Sequence, residues 1–227
     1  AHMIGQAAVN SLRRYGVDTG KIVRGGDRVG IYFNEKGASQ RPSICTYDRA
    51  HSAISEAKKE DFDWESIFSG AEWFHFTGIT PALSENVLAI CREACQVAKK
   101  KGIKISCDVN YRSKLWTKEA AREAMTELSE YIDLILINEE DAKTVFGIQA
   151  DKTDVHSGKL NKEGYEEVAK KLMEQFRFSE VAITLRESKS ASDNDWSGLL
   201  YDGKEYLFSK VYPVHIVDRI GGGDSFA

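Results

Sequence analysis

No stretch of this 227-residue chain is apolar enough to span a bilayer. Its longest unbroken aliphatic run is Leu134 to Ile137, where a spanning helix needs about 20 residues. No charged start followed by an apolar stretch marks a secretory signal. Ala1-His2-Met3 reads as an expression scar, and a clipped start would hide any native targeting sequence. Basic excess is absent too: 31 Lys and Arg stand against 35 Asp and Glu, for a net charge of −4. A mildly acidic chain without a basic run argues against nucleic acid as the partner. Cysteine is sparse, at four: Cys45, Cys91, Cys95 and Cys107. Cys91 and Cys95 are four apart on an expected helix, but no His, Asp or Glu group completes a metal set. Reduced thiols in a cytoplasmic protein are the expectation. Also missing are a G-x-x-x-x-G-K-[ST] phosphate loop, a G-x-G-x-x-G after a strand, and a protein-kinase catalytic loop.

What is present is a chain long enough to bury a sizeable core without staples. Ile4 to Tyr15 has helical periodicity and stops at Gly16. Val29, Ile31 and Phe33 alternate with polar or small residues. With Ile44 to Asp48 they form an expected β-hairpin across the polar turn Glu35 to Pro42. Then strands and helices alternate. Strands are expected at Trp73–Phe76, Ile103–Cys107, Ile132–Ile137 and Glu180–Leu185. Helices are expected at Glu85–Lys101, Thr117–Tyr131, Glu139–Phe146 and Lys162–Phe176, with Thr117 and Asn138 as N-caps. Leu199–Tyr201 and Tyr206–Phe208 read as a hairpin about Asp202-Gly203, and Glu187–Asp195 as a polar stretch. The pattern predicts an α/β fold, a mainly parallel sheet flanked by helices. Its expected domains are a core of 4–21 and 50–227 and a small β-rich lid of 22–49. Ligands of such sheets bind outside the carboxyl ends of the strands.

Four segments fall at those ends. Gly221-Gly222-Gly223 can turn sharply and point successive N–H groups at one anion, and Asp224 follows as a possible proton acceptor. A flexible turn closed by a capping aspartate is the alternative. Asp108-Val109-Asn110-Tyr111-Arg112 carries an arginine able to clamp a carboxylate or phosphate, with Asp108 and Asn110 holding the loop. Asn138-Glu139-Glu140-Asp141 can hold a hydrated magnesium ion beside a nucleotide, or simply be an acidic first helical turn. Thr77-Gly78-Ile79-Thr80-Pro81 is the fourth. His75, between two Phe residues, reads as a packed strand histidine.

Asp218-Arg219-Ile220-Gly221-Gly222-Gly223-Asp224 resembles the D-T-x-G-A-G-D signature of the ribokinase-like (PfkB) carbohydrate kinases, with Thr and Ala replaced. Asn138 to Asp141 is similar to their N-x-x-E element, with Asp for Glu. Tyr47-Asp48-Arg49, Gly78-Ile79-Thr80-Pro81-Ala82-Leu83 and Asp108-Val109-Asn110-Tyr111-Arg112-Ser113-Lys114-Leu115-Trp116 look most like the 2-keto-3-deoxygluconate kinases of that family. The resemblance implies transfer of the ATP γ-phosphate to the terminal hydroxyl of that sugar acid, with Mg2+. A fructokinase-like kinase and an inactive sugar- or nucleotide-binding module are the alternatives. It implies Asp224 as the base and Gly221, Gly222 and Gly223 as the anion hole. Substrate contacts would be Tyr32, Tyr47, Arg49, Ile79, Arg112 and Asp224. Nucleotide contacts would be Asn138, Thr184, Arg186, Gly221 and Gly223, with magnesium held by Asn138 and Asp141 through water. A homo-oligomer built through the lid is also implied. The family's first strand, carrying G-G-x-x-x-N, has no counterpart upstream of Ile4, and its final helix none beyond Ala227. The chain therefore reads as a middle portion of such a kinase.

Overall fold

The computed structural model describes residues 2–37, 41–151, 162–190, 192–218 and 220–227. Arg219 of the glycine-rich motif, Ala1 of the expected scar and part of the Glu35–Pro42 turn lie outside these residues, as does position 191 of the Glu187–Asp195 stretch.

Helix α1 (Met3–Arg14) starts on His2, whose Nδ1 accepts from the Ile4 N–H, so the supposed scar supplies the cap. Strands β1 (Ile31–Glu35) and β2 (Ile44–Asp48) form an antiparallel pair separate from the main sheet. The short helix α2 (Trp64–Ile67) then leads into the core, and it was not apparent from the sequence.

Strands β3 (Trp73–Thr77), β4 (Lys104–Asp108), β5 (Leu134–Ile137) and β6 (Glu180–Ser188) pair in parallel, in that order. Between them run α3 (Glu85–Lys100), α4 (Lys118–Leu128), the short α5 (Glu139–Asp141) and α6 (Lys162–Phe176). The Ser84 and Thr117 hydroxyls cap α3 and α4, as Thr117 was expected to do. The sheet continues antiparallel through β7 (Asp193–Tyr201), β8 (Tyr206–Phe208) and β9 (Tyr212–His215). β6 and β7 extend into both ends of the polar stretch Glu187–Asp195, because cross-strand pairing from Val181↔Tyr201 to Ser188↔Asn194 satisfies their backbone. Buried Asn194 helps by accepting from the Ser188 hydroxyl at 2.8 Å.

The core lies between sheet and helices. Ile105, Ile135 and Ile183 on neighbouring strands meet Met125, Leu128 and Leu172 from α4 and α6, all fully buried. Central strands covered on both faces need apolar runs, which is why β5 reads Leu-Ile-Leu-Ile. β3 lies at the sheet's edge, with Phe76 buried on one face and Trp73 and His75 on the other. His75 is less packed than expected: its ring is partly exposed and bonded to buried Ser106 Oγ at 2.8 Å beside the Trp73 indole, and its partial burial lowers its pKa. Cys91, Cys95 and Cys107 are free and buried, and burial pushes the thiols of Cys91 and Cys95 up to about 12. Among the described residues no helix is long and apolar enough to cross a membrane.

At the end of β3 the backbone comes unusually close to the end of β4. The Gly78 N–H donates to the Asp108 carbonyl at 2.8 Å, and a Cβ at Gly78 would stand 2.1 Å from the Val109 carbonyl oxygen. That oxygen belongs to backbone and cannot swing aside. Gly78→Ala is expected to destabilise the protein by about 1–3 kcal/mol, read as a lower urea midpoint at unchanged slope. A midpoint equal to the parent's would show that the loop yields.

Candidate active site

The parallel register sets the ends of β3, β4 and β5 side by side, with Thr77 opposite Asp108 and Asp108 opposite Leu136. The segment after β4 is the hub. Asn110 is buried and left-handed, with φ 42°. Its side-chain amide donates to Asp224 Oδ1 at 3.3 Å, and the next N–H, of Tyr111, donates to Asp141 Oδ2 at 3.1 Å. Two neighbouring residues of the loop that begins at Asp108 thus reach two further carboxylates.

Electrostatics follow from that crowding. Burial, with the charges of Asp224 and Asp141, pushes the Asp108 carboxyl up to about 6, against the opposing pull of Arg112 and the Asn110 N–H. Burial also raises Asp141, though the Tyr111 N–H, Arg112 and Asn138 hold it back.

After β5, Asn138 caps α5 as expected, its Oδ1 accepting from the Asp141 N–H at 2.7 Å. Its Nδ2 donates to Asp141 Oδ2 at 3.1 Å. The expected helix Glu139–Phe146 is not continuous α-helix: after Asp141 it widens into a π turn, Ala142–Phe146, closed by left-handed Gly147. The Arg122 guanidinium takes the freed Val145 carbonyl at 2.8 Å, so a side chain from α4 stabilises the irregular turn. Such turns recur at functional sites.

A cleft of about 960 Å3 lies between β2 and these strand ends. Tyr47, Arg49, Arg112, Asn138 and Asp141 line it, together with Lys114 and Glu140, which the sequence reading named only within their motifs, and Lys118, which it did not name. The Arg49 guanidinium lies 4.0 Å from the centroid of the Tyr47 ring, and the Lys114 ammonium 5.7 Å. Tyr32 faces Tyr47 across the β1–β2 pair, with ring centroids 6.1 Å apart. Tyr32 and Ile79 are not among the lining residues.

Gly221 is left-handed, with φ 73°. Gly221 to Asp224 form a helical turn in which the Ser225 N–H donates to the Gly221 carbonyl at 2.8 Å. Gly222, Gly223 and Asp224 are exposed. The turn is fixed from behind by the Phe226 ring, which fills the space over Gly198: a Cβ there would meet the ring at 2.7 Å. Gly198 pairs with Thr184, so Thr184 lies in the strand against which this last turn packs. Arg186 is two residues further along the same strand, exposed and opposite Trp196, and neither lines the cleft.

Magnesium was expected at Asn138 and Asp141 through water. Both polar atoms of Asn138 are spent on Asp141, so direct ligation by Asn138 does not fit. Asp141 Oδ2 already accepts two hydrogen bonds, which leaves Oδ1 to hold an ion's water shell. Among the described residues no three His, Cys, Asp or Glu side chains cluster closely enough to cage a metal. An outer-sphere role suits this donor set.

A mainly parallel sheet with a detached two-stranded flap, and its site at the strand ends, is the ribokinase-like architecture. The pfkB family carbohydrate kinase profile matches residues 2–227, and the chain belongs to that family. It is similar to a 2-dehydro-3-deoxygluconokinase from Thermotoga maritima of known crystal structure, at 51% identity and a TM-score of 0.93, covering 99% of this chain and 67% of that one. A PfkB family carbohydrate kinase structure from Listeria grayi is 35% identical with a TM-score of 0.88, over 100% of this chain and 67% of the other. A 2-dehydro-3-deoxygalactonokinase from Haloferax volcanii is 31% identical over 98% of this chain and 63% of its own length. The chain thus spans a little under two thirds of that relative.

The raised carboxyl of Asp108 has a measurable sign. Its pKa of about 6 in the folded protein lies above its ordinary 3.8, so between these values the native state holds a proton that the unfolded state has lost. Its contribution to stability is complete below about pH 4 and disappears as pH rises through about 6. Asp108→Asn is expected to flatten that fall in metal-free protein, so the variant gains on the parent in thermal midpoint from pH 4 to pH 7. A midpoint difference constant across that range would show that Asp108 does not titrate there.

Proposed function

We propose that the full-length protein transfers the terminal phosphoryl group of ATP to the terminal hydroxyl of 2-keto-3-deoxygluconate. The observation that carries this reading is the cleft lined by Arg49 and Arg112, joined through the strand-end loop to Asp224. A keto-deoxy acid presents a carboxylate, which a guanidinium receives with paired, charge-assisted hydrogen bonds. Two arginines, with Lys114 and Lys118 beside them, exceed what a neutral hexose requires. Tyr32, Tyr47 and Ile79 would shape the rest of the sugar site. The gluconokinase and galactonokinase names of the relatives support the same substrate class, and membership of a carbohydrate kinase family supports ATP as donor.

In this reading Asp224 accepts the proton of the attacking hydroxyl as the new oxygen–phosphorus bond forms and the bond to the departing ADP oxygen breaks. The N–H groups of Gly221, Gly222 and Gly223 receive the charge carried by the moving phosphoryl oxygens. Thr184 and Arg186 serve the nucleotide from β6, and Asn138 and Asp141 would hold magnesium through its waters. That ion supplies neutralisation of phosphate charge. Buried, unpaired cysteines support a reducing compartment, the cytoplasm.

The test is phosphorylation by the full-length protein, compared between 2-keto-3-deoxygluconate and neutral fructose. Higher kcat/KM is expected for the acid. Arg49→Ala and Arg112→Ala should each weaken acid binding about tenfold to a hundredfold while barely altering the neutral sugar. A preference for fructose, or equal losses for both ligands, overturns the acid-specific reading.

The flap is also proposed as a contact between subunits. Tyr32 and Tyr47 share one face of the β1–β2 pair, and Phe33 and Ile44 lie on the other, 62% and 54% exposed. Two free strand edges and a bare apolar face are stabilised when a second copy covers them. Sedimentation equilibrium at micromolar concentration should show a homo-oligomer that Phe33→Ser with Ile44→Ser dissociates. A monomeric parent would refute the contact.

A further inference from the structure

Asp224 lies on an exposed turn, and little within that turn fixes its carboxylate. The hydrogen bonds there join backbone to backbone and Ser225 to Gly222. The fixed point comes from 114 residues away, where the Asn110 amide donates to Asp224 Oδ1 at 3.3 Å. Oδ2 is left for other partners.

Asn110 is suited to this by more than its amide. Its left-handed φ of 42° is uncommon for a residue with a side chain. Asparagine tolerates that region better than most, but glycine does so more easily. If the loop needed only the turn, glycine would serve. What asparagine adds is a donor, and this one is buried where the nearby acceptors are carboxylates. The same left-handed turn sends the Tyr111 N–H to Asp141 at 3.1 Å. One left-handed residue therefore aims two donors at the two acids whose charges press on Asp108.

We propose that Asn110 is the positioning residue for Asp224: its amide holds one carboxylate oxygen so that the other faces the substrate hydroxyl. The proposal rests on the reading of Asp224 as the proton acceptor. Asn110 acts through Asp224 and touches neither substrate nor phosphate.

Kinetics on the full-length protein, with calorimetry for the sugar acid, test this. Asn110→Gly keeps the turn and deletes the amide. Asn110→Asp keeps side-chain volume and replaces the donor with a carboxylate, so it decides the matter if the glycine variant does not fold. Each should lower kcat about tenfold to a hundredfold, the scale of a misplaced catalytic group, while sugar-acid affinity stays at the parental value. In an Asp224→Ala background, Asn110→Gly should cause no further fall, since its effect passes through the missing carboxylate. Parental kcat in the Asn110 variants beside an inactive Asp224→Ala would overturn the positioning role and leave Asp224 as the base. A rise in KM with unchanged kcat would likewise make Asn110 a purely structural loop residue. Parental kcat in Asp224→Ala would instead remove the reading on which the proposal stands.

Discussion

Three carboxylates brought to one place in a partly buried site repel each other, and the strand-end architecture is arranged around that fact. Asp108 ends β4, Asp141 ends α5, and Asp224 comes from the last turn of the chain. Burial and neighbouring negative charge raise Asp108 and Asp141. What keeps the cluster tolerable is that donors are fixed before any ligand arrives: the Tyr111 N–H, the amides of Asn110 and Asn138, and the Arg112 guanidinium. Preorganised donors cost no rearrangement at the moment of reaction, and this is how such sites lower barriers.

Those donors are held by the sheet. Parallel pairing of β3, β4 and β5 puts their carboxyl ends in register, and the fully buried Ile105, Ile135 and Ile183 anchor the strands beneath. The close approach of Gly78 to the Val109 carbonyl locks the loop after β3 to the loop after β4. The π turn after Asp141, braced by Arg122, shows the same economy on the other side. Irregular backbone at the functional end of the sheet, left-handed Asn110 and the π turn, stands where regular helix would not leave these donors pointing inward.

The cleft joins this rigid floor to a lighter roof. Tyr47 and Arg49 come from the two-stranded flap, while Arg112 and Lys114 come from the core loop. Contact between them runs through the Tyr47 ring, which has a cation from its own flap near one centroid distance and a cation from the core near another. Such attractions are worth roughly 0.5–1 kcal/mol each when exposed.

Much of this was legible from residues in order. Short apolar runs placed the central strands, because burial on both faces removes alternation, while a period of two marked the flap and a period of 3.6 the long helices. Thr117 and Asn138 announced helix starts by their own chemistry. Other features were settled by contacts between distant segments. β6 and β7 extend into both ends of a polar stretch, because each satisfies the other's backbone. β9 exists only because β7 offers an edge to Tyr212–His215. His75 sits on the face opposite Phe74 and Phe76 and bonds Ser106 of the next strand, which flanking phenylalanines cannot reveal. Lys114, Lys118 and Glu140 became cleft residues only once the flap and core were brought together. Sequence by itself determined most of the core strands and long helices and the segments that carry reactive groups, since those depend on neighbours a few residues away. Which groups meet, and so the link from Asn110 to Asp224 and the raised Asp108, only the tertiary structure decided, because electrostatic and hydrogen-bonding energies depend on distance in space.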